Sequence, residues 1–117
     1  MKNNIYLNVD HPAAKRMEFF LNQVDVLLKE VSLNWKSWKL SEYISDGVKF
    51  ISEEKSSVSI MVLFCDSYHT ANEIAKANTL PTSPHARWSV NGDLLYVVES
   101  ADTEKVSEIL GLFAGKE

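Results

Sequence analysis

The stretch Arg87-Trp88-Ser89-Val90-Asn91-Gly92-Asp93-Leu94-Leu95-Tyr96-Val97-Val98-Glu99 decides the fold. Runs rich in β-branched and aromatic residues flank Asn-Gly, which accepts positive φ at both central positions of a type I′ turn. The spacing predicts a hairpin with strands over 85–90 and 93–99. A two-residue loop at Asn91-Gly92 pairs Val90 with Asp93, Trp88 with Leu95 and Ala86 with Val97. Arg87 then meets Tyr96, and His85 meets Val98, on the opposite face. An amphipathic helix follows over 101–113, started by Ser100 or Asp102 and stopped by Gly115. Val106, Ile109, Leu110 and Phe113 form its buried stripe.

Working outward, 58–64 reads as the strongest strand. Val58, Ile60, Val62 and Phe64 face one way, and Ser59, Met61, Leu63 and Cys65 the other. Both faces are largely apolar, as in a strand covered on each side. Asp66-Ser67 caps a second helix, 67–77, with Ala71, Ile74 and Ala75 inward and Asn78 as a left-handed terminator. Residues 79–84, with Pro81 and Pro84, form a loop. Upstream, Ser45-Asp46-Gly47 is a turn signal, 48–52 a strand and Glu54-Lys55-Ser56-Ser57 a polar loop. An N-terminal helix begins with Asp10 as cap and Pro12 in its first turn. Its stripe runs Met17, Phe20, Leu21, Val24, Leu27, Leu28 and Val31, about five turns at 3.6 residues each.

The segment 58–113 therefore reads β-α-β-β-α, the order of a ferredoxin-like sandwich without its last strand. We expect one α+β domain spanning 1–117. Its antiparallel four-stranded sheet has the order 48–52, 58–64, 94–99, 85–90, reached through a right-handed crossover. Helices 67–77 and 101–113 lie on one face, and the extra N-terminal amphipathic helix stands outside that core. Val58, Ile60, Val62, Trp88, Val90, Leu95 and Val97 belong under the helices. Met61, Leu63, Leu94, Tyr96, Val98, Arg87 and His85 fall on the second face. That face is too apolar for water, so the first helix, residues 35–43 or a second copy of the chain should cover it.

Bulk composition narrows the function. The chain is 45% hydrophobic and 24% charged, with a formal net charge of −4. Its twelve Lys and Arg are scattered, without the dense basic patch that nucleic acid requires. A single cysteine, Cys65, permits no intrachain disulfide and fits a reducing, cytoplasmic setting. No apolar run approaches a membrane span, and no secretory leader is visible at the N-terminus.

Chemical candidates are few. His85, Arg87 and Tyr96 would project together from the second face, where Arg and His can hold a carboxylate or phosphate and Tyr can donate a hydrogen bond. Set against this, a cross-strand Arg–Tyr pair stabilises a sheet without any ligand. Cys65, His69 and His85 are the one set suited to thiol or acid–base chemistry, because a thiolate beside a helix N-terminus is favoured. The plainer reading of Cys65 is a buried strand-end residue. Trp35, Trp38 and Tyr43 with Lys36 and Lys39 read as anchors to the core. No metal-ligand spacing, phosphate loop or nucleophile motif occurs, and no cofactor is implied. The expectation is a non-enzymatic interaction module that forms a homodimer through Met61, Leu63, Leu94 and Val98. The alternatives are a small-ligand or anion-binding module using His85, Arg87 and Tyr96, and a small enzyme near Cys65, His69 and His85.

Overall fold

The computed structural model describes residues 3–54 and 57–114. Chain order is α1 (Ala14–Asn22), β1 (Lys29–Val31), β2 (Ile44–Ile51), β3 (Ser59–Cys65), α2 (Tyr68–Ala77), β4 (Thr82–Ser83), β5 (Ala86–Asn91), β6 (Leu94–Glu99) and α3 (Thr103–Phe113). Short 3-10 turns occupy Trp35–Ser37 and Ser41–Tyr43. Gly115 lies outside the described residues, as do Lys55 and Ser56 of the polar loop.

The hairpin forms, displaced by one residue from the expected turn. Asn91 pairs with Leu94, so Gly92 and Asp93 are the loop. Gly92 has φ +62 while Asp93 has no positive φ. That is the type II′ pattern, with glycine at the first central position. Asn91 stays in the strand, where its Nδ2 donates to the Phe113 carbonyl at 2.8 Å. Each β5 residue consequently meets a β6 residue two places beyond the expected one: Trp88 pairs with Val97, and Arg87 with Val98 rather than Tyr96. Because side chains alternate with a period of two, a two-place shift changes partners and keeps faces.

All pairings are antiparallel, and the six-stranded sheet has the order β1-β2-β3-β6-β5-β4. Its inner four strands follow the expected order, and short β1 and β4 extend the edges. The faces are assigned differently from the expectation. Ile60 pairs with Val98, Val62 with Tyr96 and Phe64 with Leu94. Ile60 and Val62 thus share a face with Tyr96, while Met61 and Leu63 share one with Leu95 and Val97. The run 58–65 is apolar on both sides, so its alternation does not specify which side meets which face of the hairpin.

The helices divide between the two faces. Met17, Phe20 and Leu21 of α1 and Val106, Ile109 and Phe113 of α3 pack with Ile60, Val62, Phe64, Leu94, Tyr96 and Val98. On the other face, Ala71, Ile74 and Ala75 of α2 pack with Leu63, Cys65 and Leu95, joined by Trp35, Trp38 and Leu40. A ferredoxin-like sandwich carries both its helices on one face, so this arrangement differs from the expected one. The coarser class holds: an α+β globule on one antiparallel sheet. Residues 94–98 are buried throughout, as befits a strand covered on both sides.

Two local features explain further differences. The Ser45-Asp46-Gly47 signal marks a bulge inside β2 rather than a turn. A Cβ on Gly47 would lie 2.7 Å from Trp35 Cδ1 and 2.8 Å from Leu63 Cδ2. Glycine there admits the Trp35 ring against the strand, a recognised use of glycine in sheets. The first helix stops at Asn22, and Val24, Val26 and Leu28 are buried while Asp25 and Leu27 are exposed. That alternation is extended backbone. Asn3, itself buried, holds it open: its Nδ2 donates to the carbonyls of Val24 (3.1 Å) and Val26 (2.7 Å), and its Oδ1 accepts from Leu28 N (2.8 Å).

The second helix has the predicted start. Ser67 Oγ accepts from Thr70 N at 3.1 Å, and Thr70 Oγ1 accepts from Ser67 N at 3.2 Å, a reciprocal capping box. Its end differs. Thr79, not Asn78, takes positive φ. The Asn78 side chain instead bonds the backbone of Lys39 in both directions, at 2.9 and 3.1 Å, tying the aromatic segment to α2.

Candidate functional site

Arg87 sits near the start of β5, on the face covered by α3, with Val98 opposite it on β6 and Thr82 beside it on β4. The Arg87 Nε is buried and has no hydrogen-bond partner among the described residues. Among the described residues its guanidinium forms no ion pair. Arg87 lines an open groove of about 740 Å³ between the β4–β5 edge and α3, together with Thr82, Pro84, Thr103, Glu104, Ser107 and Glu108.

The sequence of α3 explains the groove wall. Asp102 caps the helix, its carboxylate accepting from Glu104 N at 3.0 Å. Residues four apart stack on one helix face, so Thr103 with Ser107 and Glu104 with Glu108 make two parallel rows. The inward stripe of Val106, Ile109 and Phe113 fixes which side these rows present. Glu108 pairs with Lys105 at 3.4 Å; Glu104 forms no ion pair among the described residues.

The expected trio does not gather at this groove. His85 is exposed, and its Nδ1 lies 3.1 Å from the Ser100 carbonyl, beside a backbone bond from Ser100 N to His85 O (2.9 Å). Tyr96 is 0% exposed, its ring edge-on to Phe113 at 5.2 Å. The Tyr96 hydroxyl has no hydrogen-bond partner among the described residues. Burial raises its pKa above the usual 10.0; Ser89, opposite it on β5, pulls the other way without reaching hydrogen-bonding geometry. Tyr96 is core, and Arg87 is the member of the trio that reaches the groove.

The other two sets are also dispersed. Met61 and Leu63 face the α2 side, whereas Leu94 and Val98 are buried against α1 and α3. Cys65 is buried at the end of β3, and burial, with Asp66 and Asp93 adding to it, pushes its thiol up to about 12. His69 is exposed on α2, lining a small cleft with Leu40, Tyr43 and Glu73. Cys65 N bonds Asp93 O at one end of β6, while His85 sits by Ser100 at the other. The five steps of strand from 94 to 99 separate them by roughly 17 Å.

His11, which is not among the expected site residues, bridges two elements. Its Nδ1 accepts from Ala13 N at 3.0 Å, which leaves the ring proton on Nε2, 2.9 Å from the Cys65 carbonyl and 3.7 Å from an Asp93 carboxylate oxygen. A histidine two residues ahead of a helix N-cap is the local signal that was available. The groove residues Thr103, Glu104, Ser107 and Glu108 were legible only as a polar helix face.

Among the described residues, no three His, Cys, Asp or Glu side chains gather as a metal site, and no helix is long and apolar enough to cross a membrane. Comparison with protein-family models, with curated proteins and with solved structures finds no match to this chain.

Proposed function

We propose that this chain is a non-enzymatic small-ligand-binding module whose recognition centre is Arg87 and whose ligand carries a carboxylate or similar small anion. One observation carries the reading: Arg87 lines an open groove, and its buried Nε has no hydrogen-bond partner among the described residues. Leaving a buried donor unsatisfied costs about 1–3 kcal/mol. A carboxylate accepting two parallel bonds from the guanidinium removes that cost and adds charge-assisted strength. The hydroxyls of Thr82, Thr103 and Ser107 supply further donors around it. A thiol near pKa 12 is neutral at pH 7 in all but on the order of one molecule in 10⁵, which weighs against cysteine chemistry. The single buried thiol is consistent with a cytoplasmic setting.

The test is an NMR titration followed at the Arg87 side-chain Nε resonance. Carboxylates and phosphates at millimolar concentration should shift it, and Arg87→Ala should abolish ligand-induced thermal stabilisation while keeping the circular dichroism spectrum. An unmoved resonance across both anion classes would sink the proposal.

A homodimer is the second reading. Beyond the reach of α2, Val31, Ile51 and Met61 stay half-exposed on one sheet face, and nearby Leu27 is 60% exposed. Light scattering that finds a strict monomer at high micromolar concentration removes it.

A further inference from the structure

The groove holds opposite charges that do not meet. Glu104 and Glu108 line the same groove as Arg87, yet neither carboxylate forms an ion pair with it. A structural arginine lining the same groove as two carboxylates would be expected to bond one of them, since a bidentate pair is the strongest contact a guanidinium makes. A plain anion can seat on Arg87 but leaves the Glu104 carboxylate on α3 without a counter-charge among the described residues. A ligand carrying both charges resolves both difficulties.

We infer that the Arg87 groove takes a zwitterion: a small molecule whose carboxylate seats on Arg87 and whose ammonium seats on Glu104, as in free amino acids and short peptides. The inference rests on the proposed anion site at Arg87 and adds the cationic half of the ligand. Glu104 is favoured over Glu108 as the ammonium partner, because Glu108 is already engaged by Lys105 at 3.4 Å. Thr103 and Ser107, one turn apart on α3, stand beside the carboxylates and can accept the remaining ammonium protons. At about 740 Å³ the groove has room for a side chain or a second residue beyond the two charged groups. The chemistry is shared by an α-amino acid, an ω-amino acid and a dipeptide, which differ in the span between charges.

The experiment is a titration of the full chain, by NMR or calorimetry, with matched probes. Alanine, 4-aminobutyrate and alanyl-alanine carry both charges; N-acetylalanine carries only the carboxylate, and alanine amide only the ammonium. At least one zwitterion should bind about tenfold tighter than N-acetylalanine, the worth of one charge-assisted bond. Which one leads identifies the span. Glu104→Gln should reduce that zwitterion to the affinity of N-acetylalanine, without weakening N-acetylalanine itself. Glu104 is exposed, so the variant should keep the native circular dichroism spectrum. If N-acetylalanine binds as tightly as every zwitterion, the inference fails and the Arg87 anion site stands. If Glu104→Gln leaves the preference intact, the ammonium seat is misassigned and the inference fails. If no carboxylate probe binds, the inference fails, and the Arg87 anion site fails with it only when phosphate also leaves the Arg87 Nε resonance unmoved.

Discussion

His11 and Cys65, 54 residues apart, are joined by a 2.9 Å contact between His11 Nε2 and the Cys65 carbonyl oxygen. The same ring accepts from Ala13 N and lies 5.3 Å from the Phe64 ring. One imidazole thus fastens the start of α1 to the end of β3. His11→Ala would leave a carbonyl and a backbone N–H without partners. We expect a loss of about 2 kcal/mol in urea unfolding, and faster hydrogen exchange at the Ala13 amide. A loss under about 0.5 kcal/mol, the range of a neutral surface change, would show that the bridge is incidental.

Gly47 and Gly111 should respond oppositely to alanine. Gly47→Ala drives a methyl against Trp35 and Leu63, both under 3.0 Å away, and should cost about 1–3 kcal/mol. Gly111, exposed within α3, has nothing within 4 Å of an added Cβ. Gly111→Ala should stabilise by about 0.5–1 kcal/mol, through helix propensity. An unchanged or raised urea midpoint for Gly47→Ala would contradict the packing described at β2, and a lowered one for Gly111→Ala would contradict the open surroundings of that helix position.

Stability should fall in alkali. Cys65 is raised from 9.0 to about 12, and Tyr96 is raised above 10.0, both chiefly by burial. The folded state therefore keeps both groups neutral while the unfolded chain ionises first. Their contribution is complete below pH 9 and is lost as pH climbs from 9 towards 12. Urea midpoints measured from pH 7 to 10.5 should be level to about pH 8.5 and then decline. Cys65→Ala should make that decline shallower, whatever it does to the midpoint at pH 7. Native-state alkylation of Cys65 at the rate of a free thiol would contradict its burial.

Much of the local structure was legible because it depends on neighbours a few residues apart. Ser67 and Thr70 build their capping box within one turn, and the Val106–Ile109–Phe113 stripe needs only the helical period. Gly92 announces a reversal wherever the flanking strands finally register. The candidate site was half legible. Arg87 stood out as a cation on a strand, but its cross-strand partner depended on which two residues form the loop. Asn91 left that loop because its side chain bonds Phe113, a contact with another element.

The sequence alone determined the strand-rich centre, the order of the inner four strands, the capped α2 and the amphipathic α3. Tertiary structure decided what periodicity leaves open. Val24, Leu27, Leu28 and Val31 satisfy a helix, while Val24, Val26 and Leu28 satisfy a strand; Asn3, more than twenty residues upstream, selects the strand by bonding the peptide groups of Val24, Val26 and Leu28. A β3 that is apolar on both sides pairs equally well in either orientation until α1, α2 and α3 are seated. The division of the helices between the two faces then buries Tyr96 and leaves Arg87 lining a groove with no ion-pair partner among the described residues. Local propensity reads neighbours along the chain, whereas burial and charge pairing are settled by neighbours in space.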